Sequence, residues 1–335
     1  MKRFTTLIAL LSVMLTAMAQ RPLVTLSHNG ELSFFSNLSA FEEALDSAQN
    51  GDIIYLSEGK FAATSNYINI DKRLSIIGCG YKSHVLPEID IDMSKNPNSY
   101  MEAPLFDGVR LSSVWFSPDT VSRNNLKEAE IRKTWIEDLH NIGYGGNNVR
   151  IDKCLIERAY FSGADIIGNI TVIQNSKIYQ IPRYYDNNLN LVNPIYDVTV
   201  INCNIKATYY CPGTTISSIL EDNIWDSYIH YYGSGANHKL YNSLFPKTNI
   251  STVLDFHDCY FYSEGNTLFN DDLETTINLV ENGYLGDDGK EVGVYGGEFP
   301  FSENPSVPTV DSANSKVEYD AENNKLNVTI SVTPN

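Results

Sequence analysis

The side chains best suited to chemistry gather around Trp225-Asp-Ser-Tyr-Ile-His230, with Arg183 upstream. A lyase acting on uronate polymers needs a base to take the proton beside the sugar carboxyl. It also needs a cation, Ca²⁺ or arginine, to neutralise that carboxyl. Arg183, Asp226 and His230 are the candidate catalytic set, with Ca²⁺ as a cofactor only in that case. Glycoside hydrolysis instead needs two carboxylates across one bond. Asp271-Asp272 and Asp287-Asp288 are adjacent acids, a pattern common in turns. Asp255, His257 and Asp258 are metal-ligating types, but Asp258 fits a backbone bend better. Gly286-Asp-Asp-Gly289 lacks the rest of a Ca²⁺ loop and reads as a turn, so no metal site is assigned. No P-loop, dinucleotide, nucleophile-elbow or C-x-x-C phrase occurs.

The aromatic residues are more distinctive. The chain holds 21 Tyr, with pairs at Tyr160-Phe161, Tyr184-Tyr185, Tyr209-Tyr210 and Tyr231-Tyr232. Flat rings with polar tips suit stacking on sugars, although a core ladder is the alternative. Neighbours in a strand point to opposite faces. Counting from inward Ile156, Ile178 and Ile205 puts Tyr160, Tyr184 and Tyr209 inside. It puts Phe161, Tyr185 and Tyr210 outside, beside Arg183 and Thr208. The expected ligand-binding set is Tyr185, Tyr210, Tyr232, Arg183 and His230.

A repeat must carry these residues. Val149-Arg-Ile-Asp-Lys-Cys-Leu-Ile156 recurs as Thr171-Val-Ile-Gln-Asn-Ser-Lys-Ile178 and Val198-Thr-Val-Ile-Asn-Cys-Asn-Ile205. The small anchors read as Thr134, Cys154, Ser176, Cys203, Asp222, Ser243 and Cys259, and a period of about 21 residues indicates a solenoid. Alternation makes each phrase a strand with one buried face. Asn or Lys before the anchor makes the bend, since Asn tolerates left-handed backbone. The five cysteines are an odd set for a disulfide framework. Cys154, Cys203 and Cys259 should be buried and reduced, because coils two apart lie about 9.6 Å from each other, beyond disulfide reach.

Stacked coils have open ends. Ser39 and Glu42 read as a capping box, and Phe41, Ala44, Leu45 and Ala48 as one face of a short helix across the first coil. Asn50-Gly51 ends it, and Asp52-Ile-Ile-Tyr-Leu56 and Leu74-Ser-Ile-Ile-Gly78 follow as strands.

Ala40-Phe-Glu-Glu-Ala-Leu, Asn50-Gly-Asp-Ile-Ile-Tyr-Leu and Leu74-Ser-Ile-Ile-Gly78 resemble the opening of the pectate-lyase-like β-helix superfamily. Glu291-Val-Gly-Val-Tyr-Gly-Gly297 resembles a phrase that closes such helices. The resemblance covers roughly residues 37–297. It implies an all-β, right-handed parallel β-helix with a short N-terminal capping helix and a C-terminal β-hairpin. It does not imply an activity, because this fold hosts lyases, hydrolases, adhesins and binding proteins. Of the polygalacturonase phrases Asn-Thr-Asp, Asp-Asp, Gly-His-Gly and Arg-Ile-Lys only Asp-Asp occurs, at Asp271-Asp272 and Asp287-Asp288, and Trp225–His230 departs from the lyase phrase Trp-x-Asp-His.

The expected organisation is a signal peptide (1–19), a lead-in (20–36), the β-helix (37–300), and a linker with a hairpin cap (301–335). Lys2-Arg3, an apolar run and Ala17-Met18-Ala19 form the leader, so the protein is expected to be secreted, periplasmic or on the outer cell surface. Net charge is −17, which disfavours nucleic acid as a partner. No segment after the leader is apolar enough to span a bilayer. The sequence points to a polysaccharide or cell-surface glycan as partner, bound without catalysis. The alternatives are a polysaccharide lyase or glycoside hydrolase, and a structural adhesin module.

Overall fold

A computed structural model describes residues 22–91, 104–116, 129–142, 149–161, 171–182, 198–208, 214–223, 238–246, 254–262, 267–306, 309–320 and 325–333. The chain winds as a parallel β-helix, with each coil crossing a 12-stranded sheet A and then an 11-stranded sheet B. In sheet A, Ile131, Ile151, Ile173 and Val200 stack in register from coil to coil. In sheet B the inward column is Leu111, Ile136, Ile156, Ile178, Ile205 and Leu220. Both columns are fully buried and belong to one continuous apolar core. Each such side chain contributes about 1.5–3 kcal/mol by leaving water.

The corner between the sheets follows the repeat phrase. Lys133, Lys153, Asn175, Asn202, Ser217, Asn242 and Asp258 all adopt positive φ, between 43° and 56°. The residue after each turns inward, and its side chain satisfies the carbonyl two residues back. Thr134 Oγ1 donates to Arg132 at 2.8 Å, Ser176 Oγ to Gln174 at 2.7 Å, and Cys203 Sγ to Ile201 at 3.2 Å. The hydroxyls also accept from the neighbouring coil, as Ser176 does from the Cys154 amide at 3.0 Å. Only a small side chain with a hydroxyl or thiol meets both demands inside so tight a bend.

This column corrects one anchor. The residue between Cys203 and Ser243 is Ser218, not Asp222. Its Oγ accepts from the Cys203 amide at 3.0 Å and donates to Ile216 at 2.9 Å. The inward residue that follows is accordingly Leu220. Cys154 and Cys203 are fully buried free thiols, while Cys259, on the last described coil, is only partly covered. Burial pushes the Cys203 thiol up to about 12.

Sheet B bends after two residues of strand. Ile156 pairs with Ile178, but the next paired position is Arg158 with Gln180. Inward residues are therefore three apart: Ile136 and Leu139, Ile156 and Ala159, Ile178 and Ile181, all fully buried. The bend reverses the parity expected at Tyr160. Ala159 points in, and Tyr160 lies outside, stacked on His140. The backbone of Thr208 pairs in register with that of Ile181.

The N-terminal end is closed as expected, by different contacts. Helix α1 (Ala40–Ser47) buries Phe41, Ala44 and Leu45 in the common core. Ser39 makes no side-chain cap. Asn37 takes over, accepting the Ser39 amide at 2.9 Å and donating to Glu43 at 2.8 Å. Glu42 turns instead to Thr64, whose amide and hydroxyl donate to it at 2.8 Å. An antiparallel hairpin, Val24–His28 with Glu31–Phe35, continues sheet A beyond its first coil strand, Ile53–Leu56.

Residues 267–306 hold only isolated bridges and run back along the helix as a strap. Leu268, Phe269, Leu273, Leu279 and Val292 pack on Ile219, Leu244 and Tyr262 of the outer face. Buried Asn204 donates to the Leu273 carbonyl at 2.8 Å and accepts the Val294 amide at 3.2 Å. Gly293 fits there because its φ is +89° and a Cβ would stand 2.3 Å from Asn204 Oδ1. Farther on, Phe299 meets Lys153, Phe301 meets Lys177, and Pro305 reaches Gly80 and Gly108. The C-terminal hairpin, Thr309–Asp320 with Lys325–Thr333, is a separate antiparallel sheet.

Candidate functional site

The first outward residue of each sheet B strand forms a column: Arg110, Trp135, Leu155, Lys177, Asn204, Ile219 and Leu244. The strap covers this column from Lys177 onward. At Lys177 it closes with a clasp. The ammonium, 1 % exposed, sits 2.5 Å from Glu274 Oε1, which also accepts from Tyr295 Oη at 2.6 Å. Before the clasp the face stays open as a groove of about 750 Å³. The solenoid contributes Tyr81, Trp135, Leu155, Glu157, Arg158, Tyr179, Gln180 and Lys206, and the strap contributes Asp272 and Glu303.

Trp135 is held firmly. The Arg110 guanidinium lies 3.8 Å over its ring, and Arg110 in turn meets Glu137 at 2.7 Å. The Trp135 indole N–H donates to Glu157 at 2.9 Å, and Tyr81 abuts the ring edge-on at 5.8 Å. Arg158 is matched with Asp138 at 2.6 Å. Tyr179 donates to the Asp271 carbonyl of the strap at 2.9 Å. Burial, reinforced by Asp272, Glu157, Glu303 and Asp271, raises the Tyr179 phenol above its ordinary value. Burial likewise raises that of Tyr81, whose hydroxyl has no hydrogen-bond partner among the described residues.

Beyond the bend, Trp115, His140 and Tyr160 stack across three coils. Centroids are 4.0 and 4.5 Å apart, with planes within 7° and 1°. These rings spend their faces on one another and turn their edges outward, so the described ladder is no platform for sugar faces. Burial lowers the His140 pKa, with Asp138 opposing and Arg158 adding to the shift.

Arg183, Asp226, His230, Tyr184, Tyr185, Tyr209, Tyr210, Tyr231 and Tyr232 lie outside the described residues, as do Cys211 and the leader; of Phe161 only the backbone is described. Of the adjacent acids, Asp272 faces the groove while its amide closes a turn on Asn270 at 2.9 Å. Asp287 accepts from Ser217 at 2.9 Å, and Asp288 from the Lys290 amide at 3.0 Å, so that pair ties down the strap. His257 stacks on Tyr241 at 4.9 Å, and Asp258 makes the corner. No group of three His, Cys, Asp or Glu among the described residues is placed to hold a metal ion.

The solenoid residues of the groove carry a signal in the sequence. Trp135 and Leu155 follow an anchor directly, Glu157, Tyr179 and Lys206 stand three residues after one, and Arg158 and Gln180 stand four after. Counting from the anchors, instead of by twos from the isoleucines, identifies them. Tyr81, Asp272 and Glu303 lie outside the repeat and carry no such signal. No protein-family model, curated protein or solved structure matches the chain.

Proposed function

We propose that this is an exported β-helix protein, distantly related to the pectate-lyase-like superfamily, that binds a polysaccharide in the groove on sheet B. The groove itself is the supporting observation. It is open, it lies across successive coils, and it interleaves Tyr81, Trp135 and Tyr179 with Glu157, Arg158, Gln180 and Lys206. Sugars have apolar patches and dense hydroxyls, so they bind surfaces that combine aromatic rings with planar polar groups. Arg183 and Tyr185 follow Ile181 in sequence, and Tyr210 follows Thr208; with His230 and Tyr232 they stay in the proposed ligand-binding set on sequence grounds.

A screen against a glycan panel, followed by titration calorimetry, tests the reading. Gln180→Ala should weaken the selected ligand about 3- to 30-fold with little change in melting temperature, the size of one lost polar contact. Binding untouched by this change removes the groove from consideration.

Hydrolysis is the second reading, favoured by the position of Glu157 on one wall and Asp272 and Glu303 on the other. New reducing ends released from a bound glycan, and lost in Glu157→Gln, would establish it. Intact glycan after prolonged incubation would leave binding alone.

A further inference from the structure

We infer that the groove selects saccharides bearing a protonated amine and turns uronate polymers away, an inference that rests on the glycan-binding reading above. The cations bordering the groove are largely spent. Arg110 is matched with Glu137 at 2.7 Å, Arg158 with Asp138 at 2.6 Å, and Lys177 with Glu274 at 2.5 Å. Among the described residues of the groove, Lys206 is the one cation without a carboxylate partner. Against it stand Glu157, which has only the Trp135 indole as donor, and Asp272 and Glu303, which have no cation partner among the described residues. Three carboxylates thus face one ammonium across a single groove.

Their field reaches the floor, where Asp272, Glu157, Glu303 and Asp271 all act in one direction on the Tyr179 phenol. Walls of low polarisability concentrate such a field more than a flat surface does. The rings add to it. Arg110 over Trp135 and Lys177 at 4.7 Å from the Phe301 ring show that this face already holds cations on aromatic rings. A ligand ammonium would find carboxylates and ring faces together. A uronate would meet uncompensated negative charge, so discrimination comes from repulsion as well as attraction.

The test compares three oligosaccharides of equal length on the full chain: glucosamine, N-acetylglucosamine and galacturonate. At low ionic strength, and at a pH where the amine is protonated, the glucosamine oligomer should bind about tenfold more tightly than its N-acetylated counterpart. Galacturonate should bind least, and added salt should shrink the gap. In the Asp272→Asn, Glu303→Gln double variant, both substitutions on exposed strap side chains, the preference should fall to about threefold or less. Equal binding of the amine and its acetylated form, or tighter binding of galacturonate, overturns this inference and leaves glycan binding standing. Failure of all three to bind overturns this inference, and a panel that also yields no ligand overturns the glycan-binding reading with it.

Discussion

Each corner of the helix depends on two adjacent residues, one in left-handed geometry and one small enough to turn inward and hydrogen-bond. Ser218 serves two backbone groups at once, so Ser218→Ala should cost about 1–3 kcal/mol by leaving the Cys203 amide without its acceptor. Ser218→Cys should cost less, because thiols occupy the same position in neighbouring coils. Urea midpoints at unchanged m-value measure both. The corner pattern was legible because its chemistry is local: Asn or Lys, then Cys or Ser. It misled at Asp222 because Ser217-Ser218 lacks the usual Asn or Lys, and a weaker Asp-Asn pair stood nearby. The inward count failed at Tyr160 for a related reason, since the bend after Glu157 inserts a residue that strict alternation does not allow. His140 offers a test of sign. Its folded pKa lies below the usual value of about 6.5, so its neutral form is the one the fold favours. Stability from this site is complete above that pH and is lost as pH falls toward the depressed folded value. His140→Phe should keep the stack and flatten melting temperature against pH in that acid range. An unchanged profile would mean the ring is freely hydrated.

Among the elements, helix α1 was readable from its apolar spacing, and only its capping partners differed. Phe41 is fully buried, so Phe41→Asp should cost several kcal/mol and promote aggregation through the uncovered first coil. Scattering on mild heating would show this, and wild-type behaviour would mean the helix does not close the core. The strap was only partly readable. Glu291–Gly297 stood out as a phrase, but nothing local reveals that Gly293 is pressed against Asn204, ninety residues upstream of Val294 in the same contact. The groove was harder still to foresee, because one of its walls comes from this strap. Glu274→Ala should cost about 2–3 kcal/mol, below the full price of stranding a buried charge because Glu274 is 38 % exposed. Lys177→Met should be nearly neutral, since it removes the charge along with its need for a partner. Chemical denaturation of the two variants distinguishes the cases, and equal losses would contradict the clasp.

At the scale of the whole molecule, a solenoid is a stack in which each coil touches only its neighbours, and such stacks can unravel from either end. The strap changes this. It joins Lys177 to Glu274 across 97 residues and Asn204 to Leu273 across 69, far beyond the roughly 20-residue reach of coil-to-coil contacts. Contacts so distant in sequence carry a loop-closure cost and form late. This predicts that the coils assemble first, with Lys177, Asn204, Ile219 and Leu244 still bare to water, and that the strap closes over them afterwards. Refolding should show a fast phase that protects the sheet amides, then a slower one that protects residues 267–306, resolved by pulsed hydrogen exchange. A chain whose synthesis had not yet reached residues 267–306 would hold the incomplete state until that segment arrived. Through that interval the bare outer column, rather than the finished coils, is the surface on which the chain would aggregate.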